Sequence, residues 1–153
     1  SDTEFSPNMN LTREMFVTLL HRAWNQPFVG YNNPFDDAQD SNRYSYEAIC
    51  WAYEVGIING KSEAEFAPND NVTREEMAAM MDRFASAYGI DLSSDNPAVS
   101  FKDAAKISDW ATDSVEYLTK AGILNGYPDG TFQPQGNATR AEAAKIISTF
   151  MGM

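Results

Sequence analysis

An internal repeat constrains this sequence more than any other feature. When the chain is shifted by 66 residues, residues 35–84 align with residues 101–150 without a gap. A shift of 61 residues aligns the start of the chain with the segment around residues 66–74. A repeated unit of this size cannot bury its apolar face alone, so we expect the copies to pack on one another. Many identical residues lie in predicted turns and helix starts, as in Phe5/Phe66, Pro7/Pro68, Phe35/Phe101, Asp37/Asp103, Gly60/Gly126, Phe66/Phe132, Thr73/Thr139, Arg74/Arg140 and Glu76/Glu142.

Each copy contains a loop rich in turn residues that leads into a helix start. In the third copy the loop at 125–134 is followed by Thr139 and Glu142. This spacing is typical of a capping box, in which each side chain satisfies a free backbone N–H. The equivalent residues of the second copy repeat the pattern. The first copy has Thr12 but Met15 in place of the glutamate, so there we expect only the threonine to cap.

Apolar residues at helical spacing predict helices at 12–24, 44–55, 73–88, 109–121 and 139–151. The three helices that follow a cap have equivalent apolar stripes. We therefore predict a mainly α fold, a pseudo-threefold trimer with a central three-helix bundle and three peripheral lobes of helices and loops. The stripes are Met15, Phe16, Leu19, Leu20 and Ala23 in the first copy, Met77, Met80, Met81 and Phe84 in the second, and Ala143, Ile146, Ile147 and Phe150 in the third.

The length of 153 residues and an apolar content of 43% fit one domain with a proper core. We divide residues 1–153 into repeats at 1–27, 35–88 and 101–153. The first repeat has only the rear half, the loop and the capped helix. Its front half was either cut off or is supplied by another chain, and we interpret the sequence as cut.

The net charge and the lengths of the apolar runs argue against several kinds of partner. A formal net charge of −11 argues against nucleic acid or an anionic membrane as partner, because both need a basic surface. No apolar run approaches the roughly 18 residues of a membrane span, so no membrane insertion is predicted. Cys50, the one cysteine, lies in a helical pattern and is expected to be a buried, inert thiol.

The repeat resembles the S-layer homology (SLH) domain. The residues that carry the resemblance are Phe101-Lys102-Asp103, Trp110-Ala111, Ala121-Gly122-Ile123, the loop from Gly126 to Pro134, and Thr139-Arg140-Ala141-Glu142. The second copy matches with Lys61 to Glu65 in place of the usual loop residues and with Thr73-Arg74-Glu75-Glu76 as its signature. The first copy has only the rear half of the pattern, ending in Thr12-Arg13-Glu14-Met15.

This resemblance implies a non-catalytic module, without a cofactor, that anchors a larger exported protein to the bacterial cell wall. Its partner would be a secondary cell-wall polysaccharide, often carrying pyruvate ketals on N-acetylmannosamine, bound in grooves between repeats. The arginine of the signature is the main ligand contact in the family, which implies that role for Arg140, Arg74 and Arg13. Gly126 and Gly60 would line the grooves. The implied location is the surface of a bacterial cell, outside the membrane.

The chemistry of the helix starts agrees with this function but leaves an alternative open. Free backbone donors, a helix N-terminus and a guanidinium together form a site for a carboxylate. The alternative is that each arginine pairs with a Glu or Asp of the next repeat and joins the repeats. Tyr127 and, less strongly, Tyr44, Trp110 and Trp51 could stack on sugars, and Asp103 and Asp37 could accept sugar hydroxyls, although such residues more often belong to the core or to turns.

Other functions find less support in the residues. An enzyme is not indicated, because His21 is the one histidine and no nucleophile is paired with it by spacing. A calcium site at Asn69-Asp70-Asn71 or Asp129-Gly130 lacks the spaced ligands and terminal Glu of an EF-hand loop. The main alternative to wall anchoring is a self-assembly or protein-interaction module in which the arginines are purely structural.

Overall fold

A computed structural model describes residues 9–152, and in this range the fold is mainly α, as predicted. Helix ends fall within three residues of the predicted ones. Phe5 and Pro7, which belong to the first copy's repeat pattern, lie outside the described residues. The helices are α1 (Arg13–Ala23), α2 (Tyr46–Glu54), α3 (Arg74–Ala87), α4 (Thr112–Lys120) and α5 (Arg140–Met151), with short 3-10 turns at Asp36–Ala38, Ala104–Lys106 and Asp109–Ala111.

The predicted threonine caps are present, but the two capping boxes differ. Thr12, Thr73 and Thr139 each accept a hydrogen bond from the backbone N–H three residues later. Glu76 completes the box by accepting from the Thr73 N–H at 3.2 Å. Glu142 does not return such a bond, so the prediction of a full box at α5 is wrong. Its carboxylate instead accepts from the side chains of Arg74 and Tyr127.

A closed ring of backbone hydrogen bonds joins the three segments that precede α1, α3 and α5. The N–H of Leu11 donates to the Ala138 carbonyl at 3.1 Å, that of Ala138 to the Val72 carbonyl at 2.9 Å, and that of Val72 to the Leu11 carbonyl at 2.8 Å. Residues separated by more than 60 positions are thereby held side by side. The starts of the three capped helices consequently lie around one centre.

The apolar stripes of the capped helices mostly face the core. Phe84 of α3 contacts Phe150 of α5 and Trp24 at the end of α1, with ring centroids 5.2 and 5.0 Å apart. The stripe of α1 is the exception, because Leu19 is 36% exposed and Ala23 is also exposed. These two residues border an open groove between α1 and α5. Within residues 9–152 no helix has the length and apolar content that crossing a membrane requires.

Candidate ligand-binding grooves between the repeats

Arg74 is buried and forms three hydrogen bonds to the third copy. Its Nε donates to the Phe132 carbonyl at 2.8 Å, its Nη2 to the Asn125 carbonyl at 2.6 Å, and its Nη1 to the Glu142 carboxylate at 2.6 Å. The guanidinium also lies 4.5 Å from the centre of the Tyr127 ring. Only 2% of Arg74 is exposed. This arginine therefore joins the second copy to the third.

Arg13 joins the first copy to the second in the same way. Its Nε donates to the Phe66 carbonyl at 2.9 Å, and its Nη1 pairs with the Glu76 carboxylate. Burial lowers the pKa of Arg13, whereas Asp70 and Asp37 favour its charge. The geometry that we set out as the alternative to ligand contact, an ion pair with the next repeat, is thus present at both Arg13 and Arg74.

Arg140 has a different environment from the other two. Its backbone N–H donates to the Met9 carbonyl at 3.0 Å, which continues the pattern of the helix starts. Its Nε is buried and has no hydrogen-bond partner among residues 9–152. Met15 occupies the position that Glu76 and Glu142 have in the other copies, so no equivalent carboxylate is present there.

The backbone donors at two of the helix starts are not free. In α3 the N–H of Arg74 donates to the Gly136 carbonyl at 2.9 Å and that of Glu75 to the Pro134 carbonyl at 3.0 Å. The next N–H donates to the threonine cap. The first N–H groups of α1 are occupied in the same manner by the loop of the second copy. The prediction that free backbone donors help to bind a carboxylate is therefore wrong for α1 and α3.

Asp37 and Asp103 hold the loops that carry these carbonyls. The carboxylate of Asp103 accepts the N–H groups of Phe132 and Gln133, both at 2.8 Å, and Asp37 accepts those of Phe66 and Ala67. Burial raises the pKa of Asp103, but the two backbone donors outweigh it and lower the pKa overall. Because these donors fix the carboxylate in the folded protein, each aspartate is placed to position a loop.

Gly60 and Gly126 allow close contact between each loop and the first phenylalanine of its copy. A Cβ atom on Gly126 would lie 2.4 Å from Cε1 of Phe101, and one on Gly60 would lie 2.4 Å from Cε1 of Phe35. No side chain fits at such distances. The identity of both residues follows from packing, and Gly60 also lines the groove described next.

An open groove of about 520 Å³ lies between the start of α1 and one face of α3. Trp110 borders it and is 56% exposed. At the position equivalent to Lys61 the third copy has Tyr127, which packs over Arg74 and donates to Glu142 at 3.0 Å, so that Arg74 is covered. We call this cavity the α1–α3 groove; its lining is Arg13, Ile58, Asn59, Gly60, Lys61, Thr73, Glu75, Glu76, Ala79, Met80, Arg83, Trp110 and Gln135.

A second groove, of about 650 Å³, lies between α1 and α5 and has a more apolar lining. The face of α1 that lines this second groove is equivalent, in the repeat, to the face of α3 that lines the first groove. Tyr44 takes the position of Trp110, and Arg140 takes the position of Arg13. The predicted ligand contacts are therefore divided: Arg13 borders one groove, Arg140 the other, and Arg74 neither of them.

Several residues of these sites escaped the sequence analysis. Lys61 and Arg83 line the α1–α3 groove, and the Arg43 guanidinium pairs with the buried Glu14 carboxylate at 2.6 Å. For Lys61 and Arg43 the only sequence signal was departure from the repeat, since the third copy has Tyr127 and Asp109 at these positions.

Cys50 is buried, as predicted, and His21 is buried as well. The His21 ring is buried, its Nε2 lies 3.0 Å from the Pro27 carbonyl, and the ring centroid is 5.1 Å from that of Trp51. Burial raises the pKa of the Cys50 thiol. Within residues 9–152, no group of three or more His, Cys, Asp or Glu residues is arranged to hold a metal ion.

Helical repeats that exchange backbone hydrogen bonds and Arg–Glu pairs, with grooves between them, define a repeat-type binding domain. The sequence model of the S-layer homology domain matches residues 34–78 and 100–144, which is more than half of the chain. The chain belongs to this family. The matches cover the second and third copies; that residues 1–27 form a first, incomplete copy stays a prediction.

Relatives of this chain are much longer proteins with different names. An endoglucanase of a Bacillus species is 38% identical over 99% of this chain and 16% of its own length. A cellulosome-anchoring protein of Acetivibrio thermocellus is 41% identical over 94% of this chain and 32% of its own length. An S-layer protein of Bacillus thuringiensis is 29% identical over 94% of this chain and 17% of its own length. The chain thus spans a third or less of each of these relatives.

Proposed function

We propose that this domain attaches a larger exported protein to the bacterial cell wall without a covalent bond. The relatives support this, because one is named for anchoring and one for the S-layer, while a third is an endoglucanase. A segment shared by proteins with such different names fits a common attachment module better than a common catalyst. The same names support a location at the cell surface. The closed ring of backbone hydrogen bonds supports the predicted pseudo-threefold arrangement.

The ligand that we propose is an acidic secondary cell-wall polysaccharide, with pyruvate ketals as its acidic groups. The observation that carries the proposal is the α1–α3 groove, which combines basic side chains with the exposed ring of Trp110. In a chain of net charge −11, this groove is lined by three basic and two acidic residues: Arg13, Lys61, Arg83, Glu75 and Glu76. Basic groups can pair with a ketal carboxylate, and an indole face can pack against the C–H groups of a sugar ring.

The experiment is co-sedimentation with purified cell-wall sacculi before and after the non-peptidoglycan glycan is removed. We expect binding to intact sacculi and loss of binding to stripped ones, because the ligand is removed with the glycan. Trp110→Ala should weaken binding to intact sacculi, with the melting temperature nearly unchanged since most of the ring is already exposed. Tyr31→Ala is the matched aromatic control, because its side chain is 62% exposed and is not part of the groove lining.

Binding that survives removal of the glycan would contradict the polysaccharide proposal. It would favour the second candidate, a self-assembly or protein-interaction module. The mainly apolar groove between α1 and α5, bordered by Leu19, Tyr44 and Met151, is the observation that favours that candidate. Such a module would bind through apolar contact and would not depend on the wall polysaccharide.

A further inference from the structure

The signature arginine of the α1–α3 groove has little capacity left for a ligand. Arg13 is 4% exposed, its Nε donates to the Phe66 carbonyl, and its Nη1 is paired with the Glu76 carboxylate. An incoming carboxylate would have to compete with a buried ion pair. Breaking such a pair leaves an uncompensated buried charge, which is strongly unfavourable.

Two other cations in the groove are less engaged. Lys61 extends from the loop after α2, its side chain is 43% exposed, and its Nζ lies 3.6 Å from a Glu76 oxygen that Arg13 already uses. Arg83 lies on α3, and its one hydrogen bond among the described residues is a long one, from Nη1 to the Ile57 carbonyl at 3.4 Å. Both residues line the cavity that Trp110 borders.

This combination is not repeated in the other copies. In the third copy the position of Lys61 is taken by Tyr127 and that of Arg83 by Thr149. In the first copy Arg22 is equivalent to Arg83, but the groove beside it lacks a lysine among its lining residues. The α1–α3 groove therefore combines a lysine and an arginine from different elements, whereas the α1–α5 groove has Arg22 and Arg140 in a mainly apolar lining.

We infer that Lys61 and Arg83 bind the carboxylate of the acidic sugar, while Arg13 positions the groove through Glu76. This inference rests on the proposed function and assigns the anion contact within it. Trp110 supports the sugar ring beside the two cations. Burial lowers the pKa of Arg83, and the neighbouring Asp82 only partly offsets this effect. Because the lysine and the arginine come from separate elements, the site depends on the folded domain.

The test uses a methyl glycoside of 4,6-pyruvylated N-acetylmannosamine and the same glycoside without pyruvate, titrated against the folded domain and followed by NMR. Wild-type protein should bind the pyruvylated sugar more tightly than the neutral one, with shifts at the Trp110 indole. Lys61→Gln and Arg83→Gln should each weaken binding of the pyruvylated sugar about tenfold, which is typical for one charge-assisted contact. Their binding of the neutral sugar should not change.

Lys145→Gln is the matched control, because it removes one exposed positive charge outside this groove. Lys61→Arg should retain most of the affinity. If Lys61→Gln binds the pyruvylated sugar like wild-type protein, the inference is overturned, and since Lys61 is exposed this result does not depend on how Arg83→Gln folds. Wild-type binding to sacculi in the same series shows whether the proposed function stands when the inference fails. Equal wild-type affinity for the two sugars would also overturn it.

Discussion

Arg74 and Arg140 occupy equivalent positions in the repeat but have different partners. Arg74 bonds to two carbonyls and the Glu142 carboxylate, whereas the Arg140 Nε has no partner among the described residues. Arg74→Ala would leave two carbonyls without this donor and the half-buried Glu142 carboxylate with only the Tyr127 hydroxyl. We expect a loss of about 2–3 kcal/mol in the free energy of unfolding, because buried acceptors lose their donors while the Glu142 carboxylate keeps partial access to water.

Arg140→Ala is the matched control for this change, and we expect it to cost about 1 kcal/mol or less, as for a side chain without a paired charge. Urea unfolding followed by circular dichroism measures both variants. Equal losses for the two would contradict the conclusion that the arginines are inequivalent. Whether any of the three also contacts ligand stays a prediction, which the sacculi and sugar experiments address.

Asp103 makes stability depend on pH. The backbone donors of Phe132 and Gln133 hold its pKa in the folded protein below the ordinary value of 3.8. An acid with a lowered pKa stabilises the folded state above its unfolded-state pKa, and this contribution is lost as the pH falls through the folded-state value. Asp103→Asn should therefore lower the free energy of unfolding at pH 7, and the difference from wild type should shrink below about pH 4.

Denaturant unfolding at a series of pH values measures this difference. Asp95→Asn, at an exposed site in the linker between the second and third copies, is the control and should show little difference at any pH. A deficit in Asp103→Asn that is the same at pH 3 and pH 7 would contradict the role assigned to the ionised carboxylate.

At the level of elements, the loop between α4 and α5 is shaped by contact as well as by turn residues. Gly126 lies against Phe101, and an added Cβ would come within 2.4 Å of the ring. The backbone of Gly126 is outside the left-handed region, so Gly126→Ala tests the steric contact alone. We expect a loss of about 1–3 kcal/mol, the usual range for overpacking.

Gly152→Ala, at the end of α5, is the control for Gly126→Ala, since a Cβ there would be 3.6 Å from its nearest neighbours, an ordinary contact distance. Thermal unfolding should show a clear drop in melting temperature for Gly126→Ala and almost none for Gly152→Ala. An unchanged melting temperature in Gly126→Ala would mean that the phenylalanine can move aside and that the close packing is not required.

The elements themselves were accessible from the sequence because their signals are local. The threonine caps, the apolar stripes and the stop glycines each act within a few residues, and the five helices begin and end close to the predicted positions. The failure of the capping box at α5 has a long-range cause. The Glu142 carboxylate accepts hydrogen bonds from Arg74, which is 68 residues away in the sequence, and from the hydroxyl of Tyr127. A local sequence pattern does not show that distant donors compete with the Thr139 N–H for this carboxylate.

At the level of the whole molecule, a ring of backbone hydrogen bonds joins the segments that precede α1, α3 and α5, but the contacts around this ring are not equivalent. The second and third copies meet at a junction that Tyr127 covers, and the first and second meet beside an open, basic groove. The α1–α5 side is open and mainly apolar. Small changes within a repeat have thus produced different surfaces, and we expect polysaccharide binding to be concentrated at the α1–α3 groove.

The sequence by itself determined the repeat, the helices, their caps and the family, because each of these is encoded by neighbouring residues or by similarity between copies. Only the tertiary structure decided which arginines are buried, which backbone donors are occupied and which groove is open. Those properties depend on pairs such as Arg13 and Glu76, 63 residues apart. The energy of a charge is set by the groups that surround it after folding, and for these arginines the surrounding groups belong to another copy of the repeat.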